Sequence, residues 1–217
     1  MPKKSRKNVK KLSDFSNKNV RQLWLEKCFF EIFKIICFRA KFFLTLRLRG
    51  YKIILVMIVA EFKTNVMRIL EKERIPYKAH EYPHGKEAVD GVSVARLLGQ
   101  DPSCVFKTLV TKGSGRDYYV FVVPVDKELD LKKCAASVGE KSVEMIHVKD
   151  ITKVTGYVRG GCSPVGMKKK YKTTYHITAL DIPNIIVSAG KIGYQIDLEP
   201  GALIALTDGQ CADIVKK

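Results

Sequence analysis

Several stretches of this 217-residue chain hold reactive side chains at spacings that could do chemistry. His80-Glu81-Tyr82-Pro83-His84 spells H-E-x-x-H, which on one helical face would offer two imidazoles to zinc and a carboxylate as base. Pro83 falls inside the helix this would need, where it removes a hydrogen bond and clashes with the preceding turn. The segment is therefore expected to pass from strand to loop with its polar groups toward a cleft or solvent. No metal or other cofactor is expected. Gly161-Cys162-Ser163-Pro164-Val165-Gly166 approaches a nucleophile elbow, but its second glycine stands one residue too far along. Pro164 also has no N–H to complete an oxyanion hole, so Ser163 is a poor nucleophile. A Gly-Gly turn beside a hydroxyl suits a carbonyl oxygen or phosphate better.

Lys107 interrupts the apolar run Val105-Phe106-Lys107-Thr108-Leu109-Val110. Strand alternation puts it on the face of Val105 and Leu109, where a lysine either snorkels at the sheet edge or points into a functional cavity. Lys168, Lys169, Lys170 and Lys172 cluster behind the Gly-Gly loop and would draw phosphates electrostatically. The cysteines, at 28, 37, 104, 134, 162 and 211, form no C-x-x-C pair. They suit core packing in a reducing cytoplasm. Cys162 alone falls in a loop that could line a site, and no flanking histidine or cation marks it as activated.

These residues need a scaffold, and the charge shows where it starts. The net charge of +17 is concentrated in residues 1–56, which hold 15 Lys/Arg against 3 Asp/Glu; residues 57–217 hold 24 against 19. The longest uncharged run that begins in this leading segment, Ile53–Ala60, has eight residues; a membrane-spanning helix needs about 20, so no membrane partner is expected. Residues 1–56 read as a basic, poorly structured extension: a translated upstream region, a targeting segment or a functional arm. Residues 57–217 read as the folded domain. There, Thr64 caps an amphipathic helix that ends before Pro76, Lys78–Tyr82 is extended, and Ser93–Leu98 is a second helix. Val105–Thr111 and Tyr118–Val123 form a hairpin. Asp130 caps a helix that Gly139 stops. Runs at Ser142–Ile146, Thr173–Ile177, Asn184–Ser188 and Tyr194–Leu198 are β-like, and a last helix follows Pro200. Strands and helices intersperse without strict alternation, so the class is α+β with a mixed sheet.

An ordered set of motifs completes the reading. It consists of His80-x-Tyr82-x-His84, Phe106-Lys107-Thr108-Leu109, Leu129-Asp130-Leu131-Lys132-Lys133, Thr155-Gly156-Tyr157-Val158-x-Gly160-Gly161-x-Ser163-Pro164-x-Gly166-x-Lys168-Lys169 and Val187-Ser188-x-Gly190-Lys191-x-Gly193. In this the chain resembles the YbaK family, related to the editing domain inserted in bacterial prolyl-tRNA synthetases. The resemblance implies one domain with a curved mixed β-sheet flanked by helices. It also implies trans-editing: removal of cysteine from tRNA(Pro), with some action on Cys-tRNA(Cys). On this resemblance Lys107 is catalytic. Tyr82, Thr108, Gly160, Gly161, Ser163, Pro164, Ser188 and Gly190 bind substrate, and Lys168 and Lys169 contact tRNA phosphates. Prolyl-tRNA synthetase is an implied partner that would present the tRNA. Two departures bear on the pocket's width and its preference for cysteine over alanine: Cys162 stands where an aliphatic residue is expected, and Ala189 replaces a glycine. An alanine-specific tRNA(Pro) deacylase and a non-catalytic module binding a tRNA end or small ligand are the competing functions.

With no credible protein nucleophile, the substrate's own thiol would attack the ester carbon. The protein would then supply geometry, the Lys107 charge and loop amides near Gly160 or Gly161. A small pocket would reject proline by shape.

Overall fold

The computed structural model describes residues 43–48, 51–56, 62–85 and 89–216. Phe43–Leu48 (β1) and Tyr51–Val56 (β2) pair as an antiparallel hairpin with Leu48 opposite Tyr51. Regular pairing thus reaches into the stretch for which composition predicts none; the rest of residues 1–56 lies outside the described residues. A separate compact unit runs from Lys63 to the C-terminus.

That unit opens with Asn65–Lys72 (α1), begun by Thr64, whose Oγ1 accepts the Met67 N–H, and burying Val66, Met67 and Leu70. Lys78–Glu81 (β3) leads to Gly91–Leu97 (α2), capped by Asp90, which accepts from the Ser93 amide. Phe106–Gly113 (β4) and Tyr118–Pro124 (β5) form the expected hairpin. Leu131–Val138 (α3) begins where Asp130 accepts the Lys132 and Lys133 amides and ends at left-handed Gly139. Val143–Met145 (β6), Val148–Thr155 (α4), Lys172–His176 (β7), a 3-10 turn at Ile177–Leu180, Ile185–Ser188 (β8), Tyr194–Leu198 (β9), Pro200–Leu206 (α5) and Gln210–Ala212 (β10) complete it. Helix α4 is absent from the sequence reading. Its N-cap, His147, makes no side-chain capping bond, so the usual start signal is missing.

The strands divide between two sheets. One is five-stranded and mixed, in the order β10-β7-β5-β4-β6, with β7 parallel to both β5 and β10; the other is the antiparallel β3-β9-β8. The α+β class and the mixed sheet are those predicted, and the shorter sheet is its companion. Central β5 is buried on both faces: Val120 and Val122 join the larger core with α1, β8, β9 and α5, while Phe121 and Val123 pack under α3 and Ile214. Alternating side chains of one strand thus hold two layers together.

Candidate active site

The site is built on an interruption in the β-ladder. The Val125 amide donates to the Val105 carbonyl and the Gly113 amide to the Asp117 carbonyl, both at 2.9 Å. Antiparallel pairs alternate between bonded and unbonded, so odd-numbered residues of β4 face β5 and even-numbered ones turn their N–H and C=O to the opposite edge. Strand β6 covers that edge only at Thr111–Gly113, extended by an Ile146 N–H to the Val110 carbonyl. At the other end Val105 bridges to Ile186 of the shorter sheet. Between the two closures the backbone N–H and C=O of Thr108 have no strand partner among the described residues.

A cavity of about 410 Å³ fills this gap, within the range of small-ligand sites. Tyr82, Val94, Phe106, Val125 and Ile151 give it apolar walls, and Lys107, Thr108, Arg159, Gly160, Ser188 and Gln195 add polar groups. Three buried atoms, Thr108 Oγ1, Ser188 Oγ and Gln195 Oε1, find no hydrogen-bond partner among the described residues. Buried polar groups are nearly always paired in folded proteins, so three orphans on one cavity mark a place that a ligand completes. Ser188 and Gln195 are cross-strand neighbours in β8 and β9, which holds their side chains together.

Lys107 lies on the other pleat face from Thr108, yet both line the cavity, because an open edge can be reached from either side of the sheet. Its Nζ donates to the Val125 carbonyl at 3.0 Å. Burial pulls the amine below its ordinary pKa, and the Asp90, Glu128 and Asp126 carboxylates pull it back. The cation is therefore half-desolvated and field-stabilised beside a hollow, where it acts more strongly than in water.

The predicted site residues separate into two groups. Lys107, Tyr82, Thr108, Gly160 and Ser188 line the cavity. Gly161, Ser163, Pro164 and Gly190 support the wall from behind. A Cβ on Gly161 would come within 3.1–3.2 Å of the Lys191–Ile192 backbone, so this glycine lets two loops stack. Its amide, expected near an oxyanion, donates instead to the Val158 carbonyl. Gly190 takes φ +87° with Tyr157 and Val66 packed against it, a conformation that only glycine adopts cheaply. Ser163 is fully buried and its Oγ accepts the Val165 amide. Pro164 opens onto a different groove with Lys169 and Lys170. The lysine cluster also divides: Lys168 donates to the carbonyls of Thr152 and Lys153 at the end of α4, whereas Lys169 is exposed.

Cys162 lines the cavity, but burial pushes its thiol up to about 11, which leaves it protonated near neutrality. Ala189 is fully buried in the core and does not set the pocket's width. The cavity, at about 410 Å³, is roomier than the small pocket expected from the sequence. His80 sits on strand β3 with Nε2 3.4 Å from Asp197 Oδ2, so the helical metal face of H-E-x-x-H does not form. Gln195 and Arg159 were missed by sequence reasoning. Gln195 shares β9 with Asp197, so it does not stand out from the strand as Lys107 does from its own, and Arg159 sits beside the Gly-Gly turn. No helix among the described residues is long and apolar enough to cross a membrane.

This geometry, an open strand edge with a desolvated cation and unpaired acceptors, coincides with a known domain. The aminoacyl-tRNA editing domain family matches residues 86–206; the chain belongs to that family, and it is an aminoacyl-tRNA deacylase. Among its relatives is EbsC of Enterococcus faecalis, described as a candidate Cys-tRNA(Pro)/Cys-tRNA(Cys) deacylase. The two are 48% identical over 155 residues, covering 71% of this chain and 94% of that one. A proline–tRNA ligase of Thermosipho africanus is 33% identical over 110 residues, 45% of this chain and 19% of the ligase. The crystal structure of a candidate trans-editing enzyme for prolyl-tRNA synthetase shares the fold, with TM-score 0.62 and 24% identity over 72% of this chain and all of that one.

Proposed function

We propose that the deacylase acts in trans on tRNA(Pro) mischarged with cysteine, and on Cys-tRNA(Cys), by letting the substrate's thiol do the chemistry. One observation carries the reading: the cavity gathers a half-buried ammonium and three unpaired polar side chains, and its own thiol and the nearby serine are both unfit to attack. In the proposed step the cysteinyl sulfur bonds to the ester carbon and the carbon–oxygen bond to the terminal ribose breaks. A thiolactone forms, and the thiol proton is balanced by protonation of the departing ribose oxygen. The carbonyl oxygen carries negative charge in the transition state, where the Lys107 amine and the free Thr108 N–H are the available donors. Fixing thiol and carbonyl in contact supplies the entropic share.

The Ser188 hydroxyl and Gln195 Oε1 suit the substrate's α-ammonium. Proline presents a secondary ammonium with one N–H fewer and a rigid ring, so discrimination by hydrogen-bond placement replaces discrimination by volume. Of the basic residues, Arg159 at the cavity and exposed Lys169 are the phosphate contacts. Lys168 serves mainly to cap α4. Residues 63–217 carry only a modest charge excess, so selection of tRNA(Pro) is assigned to prolyl-tRNA synthetase presenting it in a ternary complex.

The test is a deacylation panel of Cys-, Ala- and Pro-charged tRNA(Pro). The expected order is Cys well above Ala, with Pro untouched. Lys107→Ala should lose about 10²- to 10³-fold in kcat/KM while keeping its fold by circular dichroism. Near-normal turnover in that variant, or equal turnover of all three substrates, ends the proposal.

A further inference from the structure

A second groove meets the cavity at Lys107. Lys107, Leu109 and Met145 line both. Beyond them the groove, about 680 Å³, is walled by Leu129 and Leu131 and edged by Glu128, Asp130, Lys132 and Lys216. Two of its apolar residues are unusually open: Leu131 is 40% exposed and Met145 46%, while Leu129 is buried. Its charges nearly balance. Glu128 is paired with Lys216 at 2.8 Å, and one Asp130 oxygen is taken up by capping α3. Open aliphatic side chains beside nearly balanced charges suit a flat aromatic base and its sugar hydroxyls.

Resting on the function proposed above, we infer that this groove is the subsite for the terminal nucleoside of the tRNA, with the base against Leu131 and Met145. The ester then crosses Lys107, the acyl group entering the cavity on one side and the ribose lying on the other. The shared wall explains why one lysine borders two hollows. A substrate joining an amino acid to a nucleoside has its scissile bond at that junction.

The test compares three substrates, Cys-tRNA(Pro), a cysteinyl ester of adenosine and cysteine ethyl ester, in the full chain and in Leu131→Ser. Leu131 is the exposed first residue of α3, where serine is tolerated. The ratio of kcat/KM for the adenosine ester over the ethyl ester should fall about 5- to 10-fold in the variant, mostly through KM. A change below twofold in that ratio overturns the subsite, even if all three substrates slow together. Adenosine alone, titrated by methyl NMR, should shift Leu131 and Met145 in the wild-type chain. Unmoved methyls also overturn it. This readout needs no turnover, so it decides the subsite even if no cysteinyl ester is cleaved, an outcome that would defeat the deacylation mechanism separately.

Discussion

The two halves of β4 behave as different structures. From Thr111 to Gly113 the strand is paired on both sides, by β5 and β6. Between Lys107 and Leu109 it is paired with β5 alone among the described residues, and its other edge opens on the cavity. The closed half serves the core: Thr111 is fully buried. The open half carries Lys107 and the unpaired groups of Thr108. An unpaired strand edge is normally a hazard that proteins cover. Here it is recessed between two sheets, so it is protected from other chains and still offers main-chain donors and acceptors to a small molecule. Three of the unpaired buried side-chain atoms, on Thr108, Ser188 and Gln195, lie where a ligand can pair them, while others, on Gln100, Thr111, Thr178 and Asp197, lie away from the cavity.

Proline substitutions on adjacent residues probe this contrast most sharply. Leu109→Pro removes an N–H that faces β5 and leaves the Phe121 carbonyl unpaired, at a cost of about 2–3 kcal/mol. A fall in Tm of roughly 5–10 °C is expected by calorimetry. Thr108→Pro removes an N–H that faces only the cavity. It should keep Tm within about 3 °C of wild type and lose about 10²-fold in kcat, as one oxyanion donor is worth. If both variants melt alike, the edge of β4 is not open.

Gln195→Leu removes an acceptor of nearly the same shape. Losing a hydrogen bond to a charged amine costs about 1.5–3 kcal/mol, so kcat/KM should drop about 10- to 100-fold. An ester whose amino group is acetylated should show no further loss from that substitution; an equal loss on both esters would assign Gln195 a purely structural part.

The pH profile follows the Lys107 amine, whose pKa burial lowers and Asp90, Glu128 and Asp126 partly restore. On the proposed mechanism the cationic form is the active one, so activity declines as pH rises through that lowered value. The alkaline limb of kcat/KM should therefore lie below the ordinary lysine pKa of 10.5. Asp90→Asn should move it further down, and a limb that stays in place contradicts the pairing. The smallest effect belongs to Cys162→Ser. With its thiol at about 11 this residue is no nucleophile, and kcat should change by less than about threefold; a loss above 10²-fold would point to covalent catalysis.

Local chemistry made much of this legible in the sequence. Thr64, Asp90 and Asp130 begin three helices and Gly139 ends one; Asp90 is the cap that the sequence hides, because Ser93 reads as the start. Lys107 stood out as a charge in an apolar strand, and Pro83 and Pro164 spoke against a helical zinc motif and a nucleophile elbow by what proline's backbone lacks. Helix α4 was not legible because its N-cap makes no side-chain bond. Glycines 161 and 190 could be found but not assigned, since a glycine that floors a cavity and one that lets two loops stack behind it look alike in one dimension.

The sequence alone determined the residue types available for chemistry: a strand lysine, no activated nucleophile, and turns rich in glycine and hydroxyls. Tertiary structure decided which of them meet. The phase of the β4 ladder, the short reach of β6 and the bridge from Val105 to Ile186 depend on pairings between residues far apart in the chain. Those pairings left Thr108 unpaired beside Ser188 and Gln195 and drew Gly161, Ser163 and Gly190 into the wall. Hydrogen-bond satisfaction is a property of the whole fold, so only the folded chain could reveal where it was left incomplete.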